Sequence, residues 1–383
     1  MGMTAVLDLP KRLSSRPAPA GKINPLPTRT KLPKTRSLRL GFVRLVDSAP
    51  LVAAAELGLF KRHGLNVTLT REIGWSTLSH RAIFDGLDVA HAPGPLPLAL
   101  TLGLGGLACP CITGLVLNLH GNAITLAKHL RDEGVSDGAS LATHIFSTQR
   151  RQPLTLAVVS RHSSHLHLLT LWLSKHGINA RRDLRVVVLP PEQLVRNLAA
   201  GNIDGFCAGE PWNSLAVAQA GGWCPATSPE LDFGHVEKVL MATEDFVTRC
   251  SEEYTALAAA VLEACAWCDT VQGRAQLPAL LARPEYLDLP AEVIAHSLQG
   301  PFDRGDGRCD TESNFMVFHR FRANEPTPEK ALWMLDCLTQ AEILPLPEKQ
   351  LKETALGVFR ADLFRAAERQ MNSNDTPKNE KSK

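Results

Sequence analysis

From residue 38 to about residue 220, short apolar runs alternate with longer amphipathic ones, and this rhythm constrains the fold most. LRLGFV (38–43), NVTLTRE (66–72), LDVAHA (87–92), LTLAVV (154–159), LRVVVLP (184–190) and DGFCAG (204–209) read as strands. Each is followed by a segment of helical period, such as APLVAAAELGLFKRHG (49–64), which Gly64 stops. CITGLVLNLHG (111–121) reads as a further strand, AITLAKHLRDEG (123–134) as a helix, and 135–153 as a polar connection. Strands separated by helices build βαβ units and parallel sheets covered on both faces. After about residue 245 the strand signals stop and every period is helical. Two α/β blocks and a helical remainder predict two lobes with a ligand cleft between them. Residues 37–130 form the first part of lobe I, 131–240 lobe II, and 241–370 the rest of lobe I.

Both ends differ from this body. Residues 1–36 hold eight Lys and Arg against the single acid Asp8, interrupted by prolines, and read as a disordered basic tail. No apolar core of signal-peptide length follows those charges, so no secretory signal is expected. The end, 371–383, is polar and also expected to be disordered. No run of 18 apolar residues occurs, which predicts no membrane span. A net charge of +2 gives no footprint for direct nucleic-acid binding. The nine cysteines include Cys265 and Cys268 in a C-x-x-C on an Ala-rich helix. With no further ligands at zinc spacing, they read as small buried side chains, and no metal or cofactor is expected.

Catalytic signatures are missing too: no G-x-S-x-G, Walker A, H-E-x-x-H or G-x-G-x-x-G after a strand. Ligands of open α/β sheets bind beyond the carboxyl ends of strands, so the turns there are the places to search. Trp75 follows the second strand, where a large aromatic is either a core plug or a pocket wall. Gly121 and Asn122 end a strand ahead of a predicted helix, which aims an amide at the cleft. Ser163 and Ser164 are candidate caps that place His165 in a first helical turn. There it is either an ordinary polar residue or a donor to an anion held at the helix end. His162, His165 and His167 could suggest a metal, but this spacing spreads the rings around the helix axis. In GEPWN (209–213), Pro211 suits a first helical position and Glu210 complements the helix dipole. Lys238 heads an apolar strand, where a lysine is ordinarily solvated. Trp75, Asn122, His165 and Lys238 together form a donor-rich set that suits a small planar oxyanion and lacks a nucleophile–base pair.

LGFVRLVDSAPLVAAAELGLFKRHGLNVTL, GWSTLSHRAIFDGLDVAHAPGPLPLALTLGLG, LNLHGNAIT, GFCAGEPWNSLAV and HVEKVLMATEDF resemble the nitrate/bicarbonate group of periplasmic-type solute-binding proteins, in order from about residue 38 to 340. The resemblance implies an α/β type II periplasmic-binding-protein fold whose two lobes close on ligand. It places the nitrate or nitrite contacts at Trp75, Asn122, His165 and Lys238, with Gly121, Ser164, Glu210 and Pro211 as possible cleft-lining residues. Lysine at 238, where bicarbonate-binding relatives carry a carboxylate and recruit a metal, implies a monoanion bound without metal. The anion would also compensate an otherwise unpaired buried lysine. APGPLPLA after His91 and Leu166 after His165 depart from the group's pattern.

Within that group the chain resembles the cytoplasmic nitrate/nitrite sensors of nitrate assimilation. The resemblance implies a non-enzymatic protein that, when ligand-free, sequesters an RNA-binding transcription antiterminator as its partner. The alternative is the substrate-binding component of a nitrate/nitrite ABC transporter. An enzyme sharing the fold is a third reading, with Cys207 as its candidate nucleophile.

Overall fold

The computed structural model describes residues 37–84, 86–147, 152–311, 314–342 and 344–375. The expected tail at 1–36 lies outside the described residues, as do 376–383 of the other tail. Residues 371–375, by contrast, belong to the helix Ala361–Asp375.

The expected strands form, and two are added to them. In chain order they are β1 Leu38–Val43, β2 Val67–Glu72, β3 Val89–Pro93, β4 Cys111–His120, β5 Asn122–Leu126, β6 Thr155–Val158, β7 Arg185–Val188, β8 Gly205–Gly209, β9 Trp223–Thr227 and β10 Val236–Thr243, of which β5 and β9 are the additions. Three two-residue strands follow: β11 Phe302–Asp303, β12 Cys309–Asp310 and β13 Met316–Val317. One sheet has the order β13-β4-β10-β3-β1-β2 and another the order β7-β6-β8-β5-β9. Each contains a parallel trio built by helical crossovers, β2-β1-β3 and β7-β6-β8. β10 and β5, the strands that pair with those trios, run antiparallel to them, so both sheets are mixed rather than parallel. The reason is connectivity. A strand arriving from the other half of the molecule has no crossover helix to restore its direction.

Two passages join the halves. At the end of β4, His120 (φ 62°) and Gly121 (φ 93°) turn the chain so sharply that Asn122 already belongs to the second sheet. A Cβ on Gly121 would meet only the movable end of Met316, at 2.5 Å from its Cε, so the backbone angle is what calls for glycine here. After β9 the chain returns through the helix Ser228–Leu231 to β10, between β3 and β4 of the first sheet. A division at 130 and 240 would put β5 in the first half and β10 in the second; strand pairing assigns each the other way. The Ala/Leu content of AITLAKHL suggests a helix, but Asn122–Leu126 is wholly buried between β8 and β9, and pairing outweighs propensity. Helix begins only at Lys128. The predicted polar connection also contains a helix, Gly138–Ser147.

The helical remainder packs back on the first sheet. The helix Ser251–Cys268 lies against Ala49–Glu56, Ala361–Asp375 and β4, with Cys265 and Cys268 buried as thiols. Among the described residues no helix is long and apolar enough to cross a membrane. Tyr254 ties this helix to β4 and β10: its hydroxyl accepts from Gly114 N at 2.8 Å and lies 3.3 Å from Leu240 O, to which it donates. Tyr254→Phe strands the buried Gly114 N–H and should cost about 1–3 kcal/mol, seen as a lower urea midpoint. An unchanged midpoint would mean the bridge adds no net stability.

Candidate ligand-binding site

The site begins with an irregularity in β10. In a regular strand, Glu237 and Lys238 would point to opposite faces. Here Val236 pairs with Leu119 and Lys238 with Asn118, so two residues of β10 oppose one of β4. Glu237 is the extra residue of this bulge, a device that re-aims side chains. Both side chains are fully buried, and Lys238 Nζ lies 2.6 Å from Glu237 Oε1. The same ammonium lies 2.8 Å from Asp47 Oδ2, in the turn after β1, and 5.6 Å from the centre of the Trp75 ring. His91 of β3 completes the row, with Nε2 2.8 Å from Asp47 Oδ1.

On the other side of Glu237, three donors from the second half converge on its carboxylate. Asn122 Nδ2 donates to Oε2 at 2.6 Å, and Ser164 Oγ donates to the same oxygen in a short contact. His165 Nε2 lies 3.2 Å from Oε1 and 3.0 Å from Asn122 Oδ1. An imidazole nitrogen facing two acceptors is the one that carries the proton. Ser164 and His165 open the helix Ser164–Lys175, whose first turn adds partial positive charge. Trp75 opens the helix Trp75–Ile83, and its indole N–H is buried with no hydrogen-bond partner.

Electrostatics fix the charge states. Burial pushes Glu237 up, but Lys238 and His165 outweigh it and hold the carboxyl well below its ordinary range. Burial likewise opposes charge on Asp47, which Lys238 and His91 overcome, so its pKa also falls. Lys238 is raised: Asp47 and Glu237 together exceed the penalty of burial. For His91, burial wins over the attraction of Asp47, and its pKa is lowered. The lysine is therefore not an unpaired cation awaiting an anion, as expected from the sequence. It is shared by two carboxylates, because the bulge and the first turn bring Glu237 and Asp47 to it.

Of the expected contacts, Asn122, His165 and Lys238 meet on one carboxylate, and Trp75 stands over the lysine. Ser164 joins them. Gly121 is the corner that places Asn122 and accepts Glu210 N at 3.1 Å through its carbonyl. Glu210 and Pro211 stand at the carboxyl end of β8, the middle strand of the second sheet, instead. The Glu210 carboxylate accepts from Ser214 Oγ at 2.6 Å, and burial raises its pKa to about 7. Pro211 precedes the helix Trp212–Ala220 rather than opening it. The three histidines diverge as their spacing predicts: His162 pairs with Glu342 and His167 packs edge-on against Trp333. Cys207 is buried, and burial pushes its thiol far up, which makes it a poor nucleophile. Asp47, His91 and Glu237 were missed by sequence reasoning. Asp47 follows β1, so its place at a strand's carboxyl end is the signal that marks it. Glu237 was hidden by the two-residue period of strands.

A model of the NMT1-like family matches residues 31–282, more than half of the chain. The chain belongs to the NMT1-like family. The nitrate/nitrite binding protein NrtA of Synechococcus elongatus is 31% identical over 365 residues, covering 92% of this chain and 81% of that protein. The nitrate import ATP-binding protein NrtC of Synechocystis sp. is 39% identical over 331 residues, which is 86% of this chain and 49% of that protein. The chain thus spans about half the length of the ATP-binding relatives it matches. The crystal structure of the periplasmic nitrate-binding protein NrtA from Synechocystis superposes with a TM-score of 0.82 at 27% identity, over 88% of this chain and 89% of that one. The architecture is the α/β periplasmic-binding-protein fold that the sequence predicted.

In this NMT1-like chain, Lys238→Met removes the cation shared by Asp47 and Glu237. Breaking such a buried set should cost about 3–5 kcal/mol near neutral pH. The loss should shrink on acidification, because the two exposed-to-each-other carboxylates then neutralise by taking up protons. The native protein keeps the full contribution of its depressed carboxyl groups at both pH 5.5 and pH 8, and loses it only as pH falls below the ordinary carboxylate range. Urea unfolding of both proteins at pH 5.5 and pH 8 checks this; a variant midpoint equal to the native one at pH 8 would remove the ion set from the stability account.

Proposed function

We propose that the chain binds nitrate or nitrite in the cradle between its two sheets and acts as the substrate-binding component of a nitrate/nitrite import system. The observation that carries this reading is the cradle's present content. Asn122 Nδ2, Ser164 Oγ, His165 Nε2 and Lys238 Nζ already surround a carboxylate, a planar group with one delocalised negative charge. Nitrite and nitrate offer the same flat O–X–O edge and the same charge, so donors arranged for one suit the others. Trp75 supplies a fifth donor, buried and unpaired, and an unsatisfied buried N–H is costly unless a ligand uses it. The likeness to proteins named for nitrate/nitrite binding and nitrate import supports the same ligand and role.

Donors come from both halves: Lys238 and Trp75 from the first, Asn122, Ser164 and His165 from the second. Ligand held by all of them favours the state in which the halves meet, a population shift that a partner can read. That partner is a permease in the import role. The second reading gives the same shift to a cytoplasmic sensor that sequesters an RNA-binding antiterminator; it stems from the sequence resemblance, and the relatives named for import favour the first.

Calorimetric titration with nitrate, nitrite and bicarbonate, the last with and without a divalent cation, tests the ligand. Saturable binding of nitrate or nitrite without added metal is expected; bicarbonate binding alone would overturn the reading. Trp75→Phe keeps the wall and removes the N–H, and should weaken nitrate by about 1–3 kcal/mol, on the order of 5- to 150-fold, with the fold intact. Undiminished affinity would make Trp75 a core plug.

A further inference from the structure

Glu237 occupies the middle of the very donor set that the function above assigns to the ligand. Each of its oxygens is doubly held: Oε1 by Lys238 and His165, Oε2 by Asn122 and Ser164. An anion cannot reach these four donors while the carboxylate holds them. Nor does the site have charge to spare, since Lys238 already faces both Glu237 and Asp47 across fully buried contacts. A second buried negative charge added beside the first would face repulsion at short range in a low dielectric.

We propose that Glu237 is a built-in stand-in for the ligand, which an incoming monoanion displaces from the cradle while Glu237 takes up one proton from solvent. The inference rests on the anion-binding reading and deepens it: the chain binds its anion together with a proton. The step balances, because one negative charge enters, one proton joins it, and the buried charge is unchanged. In place, the carboxylate is held well below its ordinary pKa by Lys238 and His165. Once displaced it keeps the burial and loses the donors, and burial without partners raises a carboxyl pKa.

The surroundings leave the displaced carboxylate little other compensation. Beside Glu237 in the chain stand Lys238 and, just ahead of β10, His235; Asp47 in the turn after β1, itself anionic, shares Lys238; from β3 comes His91. His120 at the corner, His165 of the second half, and the thiols of Cys207 on β8 and Cys337 on the helix Pro328–Ala341 complete the shell. Burial lowers the pKa values of His91, His120 and His235, so these imidazoles are neutral and offer no spare cation. Lys238 is left to serve the anion and Asp47. Proton uptake by Glu237 is what keeps the count even.

The test is calorimetry of the full chain with nitrate at pH 6 and pH 8, in two buffers of different ionisation enthalpy, for the native protein and Glu237→Gln. The native protein is expected to take up close to one proton per nitrate, with affinity falling several-fold to about tenfold per pH unit. Glu237→Gln should take up none, show flat affinity and bind nitrate more tightly than the native protein at pH 8. Native binding with no proton uptake, or a Gln variant weakened equally at both pH values, would overturn the proposal and make Glu237 a support for Lys238. Formate separates this inference from the identity of the ligand. It should raise the melting temperature of Glu237→Ala, whose cradle is cleared, by more than that of the native protein, where it must first displace the carboxylate. Formate rescue without nitrate binding in any variant would keep the stand-in and overturn the nitrate reading; no rescue, with nitrate affinity independent of pH, would overturn the stand-in alone. Should Glu237→Ala fail to fold, the same formate comparison is made on Glu237→Ser, whose short side chain also leaves the cradle clear.

Discussion

The buried Glu237–Lys238 pair organises this molecule. Two adjacent residues of one strand point to the same place only because β10 bulges against β4. That bulge sits where the chain re-enters the first sheet after its excursion through the second. Lys238 then binds the first half's own Asp47, while Glu237 reaches across to Asn122, Ser164 and His165 of the other half. A strand irregularity of one residue therefore sets both the local charge balance and the contact between halves. Buried ions need complete partners to be tolerated, and here every charged atom of the pair has at least two.

The two crossings serve the same end. His120 and Gly121 turn the chain within two residues, so that Asn122, the first residue beyond the corner, lands opposite Gly209 and beside His165. A Cβ at Gly209 would lie 3.3 Å from Asn122 Oδ1 and 3.5 Å from Asp47 Oδ2, which shows how closely the backbone of β8 approaches the site. The halves also meet through backbone and side-chain bonds, Val46 N to Glu210 O at 2.8 Å and Trp212 Nε1 to Arg44 O at 3.1 Å. A binding site assembled from both halves at their crossings converts any change in its contents into a change in how the halves hold together.

Much of this was legible in advance. The alternation of apolar strands with helical segments announced the α/β architecture, because period two and period 3.6 differ enough to be told apart in such short runs. Trp75, Asn122 and His165 stand at strand–helix junctions, where the carboxyl ends of strands place ligands, and Lys238 stands at a strand's start; the family resemblance ties the four together. What failed, failed for tertiary reasons. AITL was read as helix because propensity favours it, and became β5 because β8 and β9 were there to pair with it. Lys238 was read as unpaired because its neighbour Glu237 belongs, in any regular strand, on the opposite face.

The sequence by itself determined the fold class, the passage of the chain through two α/β blocks, and the chemical character of the site, since strand and helix periods and the donor side chains are local properties. Only the tertiary structure decided which sheet β5 and β10 join and which groups surround the lysine. Strand partners, bulges and buried charge pairs depend on residues far apart in the chain: Asp47, Asn122, His165 and Lys238 become neighbours only through the two crossings. The carboxylate at the centre of the site is the clearest instance, because no periodicity of β10 alone would turn Glu237 inward beside Lys238.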